Sequence, residues 1–159
     1  MFRGMLFGLA VVTSLFFLEE SAVSSEPQSA SFPKLPRGAG QIDAGAPTAF
    51  TATPSGLQYR ILRAGKGRKP MATQTVKVNY HGWLDSGKVF DSSYDRGKPI
   101  SFPLNRVIKG WTEGMQLVSE GGMIELTIPS QIGYGDRGFA DVIPGGATLH
   151  FLVELIAIE

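Results

Sequence analysis

The sequence contains no cysteine, which excludes disulfides, thiolate metal sites, a thiol nucleophile and a lipidated N-terminal cysteine together. Histidine is scarce: His81 and His150 are the only two, and they lie far apart along the chain. No metal site and no other cofactor is expected from such a set. An excess of either charge is also missing. Fifteen Lys and Arg against 14 Asp and Glu give a formal net charge of +1, so no bulk attraction to nucleic acid or to an anionic membrane is implied. Near the N-terminus an apolar run from Met5 to Leu18 stops at 14 residues, short of the roughly 20 that a membrane span needs.

That run follows one early basic residue, Arg3, and matches the apolar region of a secretory signal peptide. Ala22-Val23-Ser24 supplies small residues for cleavage, so residues 1–24 are expected to be an export signal, with Glu19 and Glu20 atypical for that position. An uncleaved signal anchor is the alternative. Residues 25–54 are rich in Ser, Pro, Gly and Ala, a composition that buries too little surface to offset its ordering entropy. They read as a flexible tether. Four apolar residues in it, Phe32, Leu35, Ile42 and Phe50, are able to dock locally but show no period of 2 or 3.6.

The texture changes at residues 55–159, which read as the folded domain. Leu57, Tyr59 and Ile61 alternate with their neighbours in the period of a strand, as do Val76, Val78 and Tyr80, and Ile124, Leu126 and Ile128. Thr148 to Ile158 is apolar on both faces, as a central strand is. Glycine-bearing turns at 65–67, 85–87 and 121–122 separate these runs, and Pro129 ends one by removing a backbone donor. Val107, Ile108, Trp111, Met115 and Val118 instead recur at helical spacing. Gly110 and Gly114 are poor helix formers, so packing must hold that helix. The pattern predicts an α+β fold, an antiparallel sheet of five to six strands curved around one short helix.

Five motifs stand in order within this domain: Val78-Asn79-Tyr80-His81-Gly82, Gly87-Lys88-Val89-Phe90-Asp91-Ser92-Ser93, Val107-Ile108-Lys109-Gly110-Trp111, Ile132-Gly133-Tyr134-Gly135, and Ile143 to Phe151. In this set the domain resembles the FKBP family of peptidyl-prolyl cis/trans isomerases over essentially all of Gly56 to Glu159. The resemblance implies an aromatic and aliphatic pocket walled by Tyr80, Phe90, Ile100, Phe102 and Val107. Ile108, Phe139, Val142, Ile143 and Phe151 would complete the wall, over Trp111 as its floor. Asp91 would sit at the pocket edge near Tyr80 and Arg96. Tyr134 and the Ile108 N–H would donate to substrate carbonyls, and the loop from Tyr134 to Pro144 would overhang the opening. Asp91, Tyr134, Phe90 and Trp111 are the residues it marks as catalytic. Ile100, where family members often have an aromatic, and Phe139, where they often have a histidine, depart from the pattern at one wall and at the rim.

The implied reaction is rotation about an Xaa–Pro bond in exported proteins as they fold, in a periplasm, by a monomer with no stable membrane span after signal cleavage. Its partners would be proline-containing polypeptides, with no nucleic acid, and the macrolides tacrolimus and rapamycin would inhibit it. A non-catalytic peptide-binding or chaperone module using the same groove is the competing function. Taken singly, Phe90, Trp111 and Phe151 read as plain core, Asp91 as a turn residue, Asp95-Arg96 as a solvated pair and His81 as a surface residue.

Overall fold

A computed structural model describes residues 31–159; the export signal expected at 1–24, and residues 25–30 of the tether, lie outside that range. The strands, all antiparallel where paired, are β1 (Thr51–Ala52), β2 (Gln58–Arg63), β3 (Thr75–Leu84), β4 (Val89–Ser92), β5 (Ile100–Pro103), β6 (Met123–Ile128) and β7 (Leu149–Ile158). They form one sheet in the order β1-β2-β6-β7-β3-β4, with β5 also on β3. Seven strands therefore stand where five to six were expected. The short strands β1, β4 and β5 run for only two to four residues, too few to show an alternation in the sequence.

The apolar run that ends the chain is β7, flanked by β6 and β3 and thus central. Along the long strands, alternate residues go to opposite faces. Val76, Val78, Tyr80, Ile124, Leu126, Phe151, Val153 and Leu155 enter one core with Trp111 and Met115 of α1, the helix Lys109–Met115. Val107 and Ile108, expected to begin that helix, precede it in extended conformation (φ −110°, ψ 175° and φ −58°, ψ 148°).

Gly110 and Gly114 are what let α1 lie close to β6. A Cβ on Gly110 would come within 2.5 Å of Ile128 Cγ2, and one on Gly114 within 2.7 Å of Leu126 Cδ2. Leu126 and Ile128 are fully buried and have no room to retreat. Gly114→Ala is therefore expected to destabilise the domain by about 1–3 kcal/mol through overpacking, although alanine raises helix propensity by about 1 kcal/mol. Chemical denaturation measures the sign; a more stable variant would mean that the helix and β6 are less tightly apposed.

Of residues 31–54, expected to be a flexible tether, Thr51–Ala52 form the edge strand β1 and the part before them lies against the opposite face of the sheet. Leu35 and Ile42 pack with Trp83 on the buried cluster Leu62, Met123 and Leu152. The Asp43 N–H donates to the Leu62 carbonyl at 2.8 Å, and the Gly40 N–H to Glu154 at 3.1 Å. Arg60, with only 1% of its side chain accessible, pairs with Glu125 at 2.6 Å and donates to the carbonyls of Ser31 and Thr48. Phe32 and Phe50 each present a ring to its guanidinium, at 5.1 and 4.5 Å. A segment without its own core is thus ordered by the domain's buried cation, which its own aromatic pair and carbonyls engage, and by domain acceptors for its backbone N–H groups.

The His81 expected on the surface is half-buried on this second face, 5.8 Å from the Trp83 ring, and its Nδ1 is buried without a hydrogen-bond partner among the described residues. Burial pushes its pKa below the usual value, against an opposing pull from Asp95, and keeps the imidazole neutral at pH 7.

Candidate active site

β3, β4, β5, the 3-10 turn Leu104–Arg106 and the N-terminal end of α1 bound a cleft of about 840 Å³ on the helix-bearing face. Every residue that the sequence marked for the pocket lines it. Tyr80, Phe90, Asp91, Arg96, Ile100 and Phe102 come from β3, β4, β5 and the turn between the last two; Val107, Ile108 and Trp111 from the start of the helix; Tyr134, Phe139, Val142 and Ile143 from the loop before β7; and Phe151 from β7 itself. One further lining residue, Arg106, was missed. It belongs to no motif, and an exposed arginine in a loop gives no periodic signal.

Trp111 is 4% exposed and lies beneath the aromatic walls. Its ring meets those of Tyr80, Phe102 and Phe151 edge to face, with centroids 5.5, 5.7 and 5.3 Å apart, the arrangement that aromatic quadrupoles favour. Phe90 meets Phe151 in the same way at 5.4 Å. These two rings also require Gly82 beneath them, since a Cβ there would stand 2.7 Å from Phe90 and 2.8 Å from Phe151. Val107 and Ile108 reach the cleft because they are extended rather than helical.

The polar side of the cleft is a closed ring of three residues. The Arg96 guanidinium donates to the Tyr80 hydroxyl at 2.8 Å and to Asp91, while the Tyr80 hydroxyl donates to Asp91. Arg96 is thus paired with Asp91, near which the motifs placed it, and not with its sequence neighbour Asp95, with which it read as a solvated pair when taken singly. Burial alone would raise the Asp91 pKa, but hydrogen bonds from Tyr80 and Arg96 hold it below the ordinary carboxylate value. The same contacts act on the phenol: burial first, then the bond to Asp91, push Tyr80 up to about 12. At neutral pH the ring is one anion, one cation and one neutral hydroxyl, and it stays so over a wide pH range.

The loop over the opening closes on itself. Phe139 and Ile143 exchange backbone hydrogen bonds of 2.9 and 3.1 Å, and the Gly146 N–H reaches the Gly135 carbonyl at 2.9 Å. Gly138 turns the chain with φ +67°, where a Cβ would strike the Ile143 carbonyl at 2.1 Å. Phe139 is more than half exposed and stands 5.0 Å from the Tyr134 ring. The Tyr134 hydroxyl makes no hydrogen bond among the described residues and is accessible; burial of its ring, then the charge of Asp91, raise its pKa. It remains a donor at neutral pH.

Such a cleft holds an apolar ring against aromatic walls and presents donors at its edge, without a nucleophile or a metal ligand set. Comparisons with known proteins agree with that geometry. A probable FKBP-type peptidyl-prolyl cis-trans isomerase of Haemophilus influenzae is 53% identical over 107 residues, which is 67% of this chain and 44% of that protein. The chain therefore spans less than half the length of this curated relative. The crystal structure of FkpA from Escherichia coli superposes with a TM-score of 0.67 at 46% identity, over 69% of this chain and 51% of the other. That of AtFKBP13 superposes with a TM-score of 0.66 at 38% identity, over 70% of this chain and 99% of the other. The model of the family described as FKBP-type peptidyl-prolyl cis-trans isomerase matches residues 66–156, and the chain belongs to that family.

Proposed function

We propose that this protein accelerates cis/trans rotation of Xaa–Pro bonds in exported polypeptides, with the aromatic cleft as its active site. The observation that carries this reading is the edge-to-face packing of Tyr80, Phe102 and Phe151 on Trp111 around a space open to a proline ring. Amide resonance opposes rotation with a barrier of ~18–20 kcal/mol, and uncatalysed exchange takes tens to hundreds of seconds. Reaching a millisecond requires removing about 7 kcal/mol. The half-rotated amide has lost resonance and is less charge-separated than the planar one. A dry, apolar cleft therefore favours it over the planar amide, which water solvates better.

Each side chain then has a role that needs no bond chemistry. Trp111 supports the proline ring, and Phe90, Phe102 and Phe151 exclude water from it. The Tyr134 hydroxyl and the Ile108 N–H donate to carbonyls on either side and hold the flanking backbone while the amide turns. Asp91, kept in place by Tyr80 and Arg96, shapes the field beside the rotating carbonyl. No observation favours peptide capture without turnover over this reading.

The setting follows from the sequence. The apolar run Met5–Leu18 before Ala22-Val23-Ser24 supports export to a periplasm, with residues 1–24 removed, the docked segment after them and the isomerase domain from residue 55. A monomer acting on unfolded or folding chains suits this arrangement, and tacrolimus and rapamycin are expected to compete with substrate for the cleft. A protease-coupled assay on a proline tetrapeptide, with and without either macrolide, tests both points; an unchanged exchange rate would remove the activity.

Rotation transfers no proton, so kcat/KM is expected to be flat between roughly pH 5 and 9. Over that window Asp91, whose hydrogen bonds from Tyr80 and Arg96 hold its pKa below the ordinary carboxylate value, stays ionised, and Tyr80, at about 12, stays neutral. A bell-shaped profile with a limb inside the window would indicate acid–base participation instead.

A further inference from the structure

The cleft carries one charge that rotation of an amide does not use. Arg106 ends the 3-10 turn that leads into Val107 and Ile108, is exposed, and contributes to the cleft lining. Two other charged residues line the same space, Asp91 and Arg96, and they are bound to each other and to Tyr80. Arg106 has no ion pair and no hydrogen bond among the described residues. The lining charges thus sum to +1 (Asp91 −1, Arg96 +1, Arg106 +1), and the surplus is the Arg106 guanidinium. Asp136, Arg137 and Asp141 lie on the overhanging loop, but none of them lines the cleft.

The position of Arg106 gives that charge a use. Val107 and Ile108, the two residues that follow it, are apolar wall residues, and the Ile108 N–H is the donor proposed to hold the substrate backbone. A chain bound with its proline over Trp111 runs past Arg106 with a residue that flanks the proline. A carboxylate there would meet a fork of unengaged donors beside low-dielectric walls, where attraction exceeds that in open water. An ammonium would meet a like charge.

We infer that Arg106 makes the cleft select prolyl segments that carry an acidic residue next to, or one position removed from, the proline; this rests on the isomerase reading. The preference is set at binding, since the charge does not change as the amide turns. It therefore shows in KM more than in kcat. For an exposed pair the gain is about 1.4-fold to fivefold in kcat/KM over the neutral isostere.

The test is a set of proline peptides with Glu, Gln or Lys at each flanking position, assayed with the purified protein at low ionic strength and again at 1 M salt. The expected order is Glu over Gln over Lys in at least one position, with the difference in KM. High salt should level it, the screening length having fallen to about 3 Å. Arg106→Gln should bring the Glu/Gln ratio to one, and Arg106→Glu should turn the preference toward Lys. Equal kcat/KM for all three peptides at every position, with acceleration intact, overturns the charge selection and leaves the isomerase reading standing. A Glu preference that survives in Arg106→Gln overturns the assignment to this residue. Absence of acceleration on every peptide overturns the isomerase reading, and the preference with it.

Discussion

Trp111→Ala should lower kcat/KM on a proline tetrapeptide by about a hundredfold, the scale on which misplaced reacting groups cost an enzyme its rate. The indole touches three of the aromatic rings around the cleft and is nearly inaccessible. Removing it leaves a hole under the proline ring, admits water to the space that must stay dry, and frees Tyr80, Phe102 and Phe151 to move. Truncating a buried tryptophan also costs about 3–5 kcal/mol of stability, so the assay belongs below the melting range of the variant. Trp111→Leu provides a second point, since it refills part of the volume and should recover part of the rate. Asp91→Ala, by contrast, should cost about tenfold or less. Its carboxylate orients Tyr80 and Arg96 but receives no proton from the substrate. Equal and complete loss in both variants would contradict this division of labour and point to chemistry at the carboxylate.

An equally large effect on stability, with activity spared, is expected on the other face of the sheet. Arg60→Ala leaves Glu125, 5% exposed, without its cation, and removes the donor that holds the carbonyls of Ser31 and Thr48. Breaking a buried pair from one side costs about 3–5 kcal/mol, or about 10–20 °C in Tm for a domain of this size. Burial already raises the Glu125 pKa against the pull of Arg60; without that pull the carboxyl protonates more readily, which limits the loss. Limited proteolysis should then cut within residues 31–50 sooner than in the parent protein. Activity per folded molecule should persist, because the cleft lies on the far side of the sheet. A loss under about 1 kcal/mol would mean that the pair behaves as a solvated one.

These two sites differ in how much of them a reader of the sequence can see. The strands β2, β3 and β6 announce themselves by alternation, β7 by a run apolar on both faces, and α1 by its helical spacing, because each contributes to a common core. The cleft was legible only through the ordered motifs. Phe90, Trp111 and Phe151 taken singly have the composition of any core, and nothing local says that they surround a space. The Arg60 clasp was not legible. Its partners Ser31, Thr48 and Glu125 are separated from it by 29, 12 and 65 positions, and a low-hydrophobicity segment gives no sign that a buried cation will order it. Phe32, Leu35, Ile42 and Phe50 were visible as apolar residues able to dock, but not where. The pairing of Arg96 divides the same way: adjacency alone pointed to Asp95, whereas the motifs placed Asp91 near Tyr80 and Arg96, where the β4–β5 turn brings the side chain.

A dry aromatic cleft that lowers the barrier to rotation about a prolyl amide is the proposed source of activity. The most direct test is NMR exchange spectroscopy on an Xaa–Pro peptide, with catalytic amounts of the purified protein, following the cis and trans resonances of the residue beside the proline. The expected result is exchange rising from uncatalysed rates of about 0.01 per second to a rate proportional to enzyme concentration, at unchanged cis/trans populations. Exchange that stays at the uncatalysed rate, while the peptide's resonances shift on binding, would contradict it.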